Sequence, residues 1–214
     1  MDYKKLPIVL DAFIFVVPLA ILVALSVWWG CTYLTVFFIV IALFVLWFLR
    51  NPERTIPDDA GVIVSPADGR ILKIEEVDEK DIIEGTFKKV SIFMNIFNVH
   101  VNRCPCSGVI KTISYRKGKF FSANLDKASA QNERNSLVIE TEEGKQILVV
   151  QIAGFVARRI ACWVKEGGVL KRGERFGLIR FGSRLEVFMP IDTEVLVKVG
   201  DRVQAGHTKV GKLI

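Results

Sequence analysis

Two uninterrupted apolar runs, Leu6–Trp29 and Thr32–Leu49, open the chain, and between Leu6 and Leu49 the only charged side chain is Asp11. Each run is close to the roughly 20 residues that a helix needs to cross about 30 Å of hydrocarbon. Neither shows the polar face that a surface helix of a soluble domain carries. The break at Gly30-Cys31 predicts a helical hairpin, with Trp28, Trp29 and Tyr33 at its turn and Trp47 at its far end, where interfacial anchors belong. Pro18 predicts a kink in the first helix. No small-residue cleavage site follows, so the stretch reads as a lasting anchor and not as a removable signal.

Beyond the Pro-bounded linker RNPERTIP the hydrophobic period becomes that of strands. Strand patterns cover Arg70–Val77, Lys88–Asn95, Val99–Arg103, Val109–Tyr115, Leu137–Glu140, Arg158–Val164, Gly177–Phe181, Leu185–Phe188 and Glu194–Val199, and VIETEEGKQILVV predicts a hairpin turning at Glu142–Lys145. No stretch past residue 50 sustains a helical period, and residues 122–134 have room for a short helix at most. The expected fold class is mainly β, a curled sandwich or barrel preceded by an N-terminal α-helical membrane hairpin. The domain division is an anchor over 1–50 and a β-rich domain over 51–214. The closing VKVGDRVQAGHTKVGKLI has Gly-Asp and Ala-Gly punctuation that resembles lipoyl and biotinyl carrier domains. It lacks their Met-Lys hairpin, so the resemblance is one of fold.

Charge changes the picture in one respect. Residues 51–214 hold 26 basic and 21 acidic side chains, so about five of the six net positive charges belong to the β-domain. That balance suits anionic lipid headgroups or nucleic acid. With no basic low-complexity tract and no nucleic-acid motif, a lipid surface is the expected partner. Lys4 and Lys5 before the hairpin, and Arg50 and Arg54 after it, put four cations on one side of a membrane; the positive-inside rule makes that the cytoplasmic side of the cell membrane. Cys104-Pro-Cys106 has no second pair, and with Cys31 and Cys162 it predicts reduced, structural cysteines and no metal.

Chemistry has few residues to draw on. His100, in FNVHVNRCP, would by position alone be a core histidine satisfied by a carbonyl; His207, beside Gly206, would be exposed and inert; Asp68, in SPADG, would be a turn aspartate. The stretch GLIRFGSRLEVFMP sets a bare Gly182-Ser183 between two strand-like runs, where a glycine marks a bulge or a close backbone approach.

Taken in order, FLRNPER after the apolar hairpin, SPADGRI, FNVHVNRCPCSG, NERN and FGSR resemble the short, membrane-associated branch of the phosphatidylserine decarboxylases over essentially the whole chain. The resemblance implies a proenzyme that cleaves itself between Gly182 and Ser183 into a large chain, 1–182, and a small chain, 183–214. Ser183 Oγ would attack the Gly182 carbonyl, and β-elimination and hydrolysis would leave the serine as a pyruvoyl group. Glycine suits the scissile position because it tolerates a strained turn and a close approach. The pyruvoyl cofactor would form a Schiff base with the amine of a serine phospholipid and take up the charge left when CO2 departs, giving the ethanolamine lipid. The headgroup chemistry is the same for diacyl lipids and archaeal ether lipids.

The resemblance also implies roles. His100 would protonate the carbanion or deprotonate Ser183, and Asp68 would orient His100. For the lipid phosphodiester, Arg134, Arg158 and Arg159 are candidates, since a guanidinium pairs bidentately with phosphate oxygens. Two other readings compete. One is a non-catalytic, membrane-anchored lipoyl-like adaptor, in which Gly182-Ser183 is only a bulge. The other is a serine hydrolase, which the missing G-x-S-x-G elbow disfavours.

Overall fold

The computed structural model describes residues 6–119, 121, 131–154, 159–180 and 182–214. The chain separates into two compact units, Met1–Glu53 and Arg54–Ile214. In the first, a 3-10 turn, Leu10–Ala12, leads into helix α1, Phe13–Trp28, and a turn through Gly30 leads into α2, Thr32–Phe48. The stretch Leu10–Trp28 is long and apolar enough to cross a membrane; α2 is shorter. α1 runs through Pro18 without interruption. Two hydroxyls in this apolar hairpin satisfy one another, Ser26 Oγ lying 2.9 Å from Thr35 Oγ1. The base is closed by Asn51, whose Nδ2 donates to the Leu6 carbonyl at 2.8 Å.

Among the described residues the second unit has fourteen antiparallel strands: β1 Val62–Val64, β2 Gly69–Glu79, β3 Gly85–Met94, β4 Val101–Arg103, β5 Gly108–Arg116, β6 Arg134–Glu140, β7 Gln146–Ala153, β8 Ile160–Cys162, β9 Val169–Leu170, β10 Arg175–Ile179, β11 Ser183–Pro190, β12 Glu194–Val195, β13 Arg202–Val203 and β14 Lys209–Lys212. Eight of them form one sheet in the order β13-β2-β3-β11-β7-β6-β5-β9, curled into a half-barrel, and two three-stranded sheets, β1-β14-β12 and β4-β10-β8, complete the fold.

The centre of the large sheet is buried on both faces. One face carries the main core, including Ile92, Met94, Leu137, Val149, Leu185 and Val187. The other carries a second apolar cluster of Ile83, Phe87, Val138, Leu148, Val150, Ile152 and Phe188. A strand buried on both faces has no reason to alternate, so β11 is buried at every position from Ser183 to Met189.

The strands expected from periodicity are present with shifted ends. β11 begins two residues before the expected Leu185, which puts Ser183 inside the ladder. β6 begins at Arg134, because Asn135 and Ser136 are polar residues that the core accepts and that masked the strand pattern. Of the short helix expected within 122–134, Gln131 is helical and is its last residue, since Asn132 bridges Lys119 and Arg134 opens β6; residues 122–130 lie outside the described residues. Glu194–Val199 shortens to β12, because the Lys198 N–H turns back onto Asp201 at 2.8 Å. The strands periodicity missed, β1, β9, β13 and β14, are two to four residues long, too short to show a period.

Candidate functional site

Ser183 is the first residue of β11, between Met94 on β3 and Ala153 on β7. Its side chain is fully buried, and its Oγ donates to the Met94 thioether at 3.3 Å. Gly182, just before it, has φ +64, in the left-handed region where L side chains are strained. Nothing lies within 4 Å of where a Cβ would stand, so the backbone conformation and not crowding is what asks for glycine. The Gly182 carbonyl accepts the Gly154 N–H at 3.1 Å.

His100 precedes β4 and is 1 % exposed. Its carbonyl accepts the Ile179 N–H, which ties it to the strand that leads toward Gly182. The ring Nδ1 lies 3.0 Å from the Asn98 carbonyl. A carbonyl only accepts, so Nδ1 carries the hydrogen and the neutral ring holds its basic lone pair on Nε2. Two residues on, Asn102 Nδ2 donates to the Met94 sulfur that Ser183 also uses, at 3.9 Å. The motifs FNVHVNR and FGSR, eighty residues apart in sequence, thus converge on one thioether.

Behind Asn102 runs a chain of buried amides that sequence reasoning missed. Gln151 Nε2 donates to Asn102 Oδ1 at 2.8 Å, and Asn135 Nδ2 donates to Gln151 Oε1 at 2.9 Å. A glutamine inside the apolar run ILVVQIA was the available signal, because a buried amide must find partners.

Asp68 is mostly buried. Its Oδ2 pairs with Arg54 Nη2 at 2.9 Å, and its Oδ1 accepts the Ala205 N–H at 2.8 Å. It lines a cavity of about 800 Å³ together with Asn98, the residue that holds His100, and with Arg70, Phe97 and Arg202. Arg70 and Arg202 are cations at this cavity that the sequence did not single out.

Arg134 lies elsewhere. In register it pairs with Ile152 of β7, which pairs with Arg184 of β11. Strand alternation therefore puts Arg134 and Arg184 on one face of the sheet and the Ser183 hydroxyl on the other. There Arg134 lines a second cavity of about 470 Å³ with Arg116, Arg184 and Glu186. Burial, and after it the neighbouring Arg116, lower the Arg134 pKa from its usual value. Arg159 is exposed just before β8, its carbonyl accepting the Arg180 N–H, and Arg158 lies outside the described residues. His207 has its Nδ1 2.9 Å from the Thr55 carbonyl. The cysteines are free thiols; burial pushes Cys106 up to about 12 and raises Cys104 well above its ordinary value.

The residue after the serine is anchored by charge. Arg184 and Glu186, each 2 % exposed, pair at 2.8 Å, and Ser91 binds both. Removing one member of a buried pair strands the other, at a cost of about 3–5 kcal/mol, whereas replacing both by apolar groups is often neutral. Glu186→Ala is therefore expected to lower the unfolding free energy by about that amount, and Arg184→Met with Glu186→Leu to recover most of it, as read by denaturant titration. A double variant no more stable than Glu186→Ala would show that the pair itself holds the strand.

A serine that opens a strand in a mainly β fold, sealed from solvent and preceded by a left-handed glycine, has neither the exposure nor the strand-to-helix elbow of a hydrolase nucleophile. The comparisons agree with a different class. The phosphatidylserine decarboxylase family matches residues 41–211. A phosphatidylserine decarboxylase proenzyme of Syntrophus aciditrophicus is 59% identical over 169 residues, 79% of each chain. Another, of Desulfotalea psychrophila, is 45% identical over 214 residues and the whole of both chains. A third, of Magnetococcus marinus, is 48% identical over 202 residues, 94% of this chain and 90% of that one. The chain belongs to the phosphatidylserine decarboxylase family, a family of carboxy-lyases, and the adaptor reading is set aside.

Proposed function

We propose that this decarboxylase of phosphatidylserine makes its own cofactor from Ser183. The observation that carries the reading is the Gly182-Ser183 pair: a left-handed glycine whose carbonyl is held by a backbone N–H, followed by a buried hydroxyl whose hydrogen rests on a thioether, a weak acceptor that gives it up readily. The bond that would be cut leads into Ser183, the first residue of β11, so the new chain end would stay in its ladder between β3 and β7. Cleavage would leave a large chain, 1–182, and a small chain, 183–214. The pyruvoyl carbonyl supplies the electron sink that no side chain offers once CO2 leaves.

His100 is the base of the cleavage step in this reading. Its Nε2 lone pair takes the Ser183 proton and passes it to the Ser183 nitrogen as the C–N bond breaks; in each later turnover the ring, protonated afresh, would give a proton to the substrate carbon. Asp68, which lines one cavity with Asn98, would orient the His100 ring. For the phosphodiester the candidates are Arg158 and Arg159, with Arg70 and Arg202 added by their place in one cavity with Asp68; Arg134, on the opposite face of the sheet, drops out. The helical unit 1–50 anchors the protein in the membrane with its β-domain on the cytoplasmic side, on the strength of its apolar length and the flanking Lys4, Lys5, Arg50 and Arg54.

The test is a denaturing gel of the purified protein beside an assay on phosphatidylserine vesicles. Two bands, with CO2 and the ethanolamine lipid formed in equal amounts, are expected. Full activity in a preparation that shows only the uncut chain would overturn the reading.

A further inference from the structure

Resting on the self-cleavage reading, we infer that Asn132 is a positioning residue for the cleavage step, acting through the peptide unit that joins Ala153 to Gly154. Sequence analysis singled out NERN for its arginine. The structure puts its first asparagine next to the scissile bond instead.

The Gly154 N–H donates to the Gly182 carbonyl at 3.1 Å. By itself that bond continues the β7–β11 ladder by one rung. The other end of the same peptide is what the ladder does not explain: the Ala153 carbonyl accepts Asn132 Nδ2 at 2.8 Å. Asn132 is 1 % exposed, and its remaining groups are engaged too, Nδ2 with the Phe121 carbonyl at 2.7 Å and Oδ1 with the Phe121 N–H at 2.8 Å. These partners fix which end of the amide is nitrogen. Ala153 is held from the same side again, its own N–H donating to the Glu133 carbonyl at 2.9 Å. A continuous line results, from the Asn132 amide through the Ala153–Gly154 peptide to the Gly182 carbonyl. Along such a line each hydrogen bond polarises the next.

The chemistry needs that line. Ser183 Oγ forms a bond to the Gly182 carbonyl carbon as its proton passes to the base, and the carbonyl π pair moves onto oxygen. That oxyanion lies against the Gly154 N–H, at a distance suited to a preorganised donor. The pair then returns, the C–N bond breaks, the Ser183 nitrogen takes a proton, and Gly182 is left esterified to Ser183 Oγ. Asn132 strengthens and aims the only backbone donor that the described residues place on this carbonyl. It touches no reacting atom.

The experiment follows cleavage of newly made full-length chain on a gel over time, for the natural chain, Asn132→Ala and Asn132→Asp, with and without hydroxylamine, which cuts esters. Losing an oxyanion donor outright costs about 10²–10³-fold in rate, and an aid one peptide removed should cost about 10-fold. Asn132→Ala is expected to cleave about 10-fold more slowly. Asn132→Asp is expected to be slower still, because a carboxylate would face the Ala153 carbonyl. Hydroxylamine should restore neither, since ester formation is the slowed step. A natural rate in Asn132→Ala overturns the inference and leaves self-cleavage standing. So does a rapid release of fragments by hydroxylamine, which would place the defect in the later elimination. No cleavage in the natural chain removes the reading on which the inference rests. If Asn132→Ala does not fold, replacing Gly154 by glycolic acid removes the N–H and keeps the shape. That change is expected to slow cleavage at 182–183 by about 10²–10³-fold, and an unchanged rate contradicts the inference.

Discussion

Ser183→Ala is expected to yield one uncut chain of 214 residues, folded and without decarboxylase activity. In the proposed reading the hydroxyl is the nucleophile and the source of the cofactor, so its loss removes cleavage and cofactor at once. The fold should survive, because among the described residues Oγ bonds only the Met94 thioether. A hydrogen bond contributes about 1 kcal/mol net, and one to a neutral sulfur less. The ladder on both sides of Ser183 uses backbone groups that alanine keeps. A gel shows the uncut chain, circular dichroism shows the fold, and the vesicle assay shows the lost activity. A split Ser183→Ala chain would mean that the bond is cut elsewhere or by another agent.

His100→Ala is expected to slow splitting by about 10²–10⁴-fold, the usual worth of a positioned general base. The structural reason is the bond from Nδ1 to the Asn98 carbonyl, which leaves the lone pair on Nε2, together with the meeting of Ser183 and Asn102, two residues on from His100, at the Met94 thioether. Asp68→Asn should slow splitting as well, though less, since an amide keeps the shape of the carboxylate and loses its charge. Activity divided by the amount of split chain separates the two tasks of the ring. In His100→Ala that ratio should fall as well, because the proton owed to the substrate carbon has lost its carrier. Splitting and turnover both at the natural rate would return His100 to a core histidine with no chemical role.

Much of this architecture was legible because burial writes itself into composition. The stretch from Leu6 to Leu49, with Asp11 its one charged side chain, announced the two apolar helices, and alternating runs announced the long strands. What stayed hidden depends on pairing across the sheet. Strands of two or three residues, such as β9 and β13, carry no period. Asn135 and Ser136 disguised the start of β6, since a polar residue inside a strand reads as its end unless its partner is known. The same limit governed the site. Gly182-Ser183, His100 and Asp68 stood out as motif residues, whereas the Gly154 N–H and the Asn132 amide gain meaning only from the register of β7 against β11 and from the return of the chain past Ala153. Arg134 was picked for its charge, and strand alternation turned it to the face away from the Ser183 hydroxyl.

The central claim, that Ser183 becomes the cofactor, rests most directly on the intact mass of the small chain. The account predicts a fragment of 32 residues beginning at position 183, lighter than its unmodified sequence by one ammonia and refractory to sequencing from its N-terminus, because a ketone stands where the amine would be. An active preparation whose small chain has the full mass, with a free serine amine at its start, would contradict it.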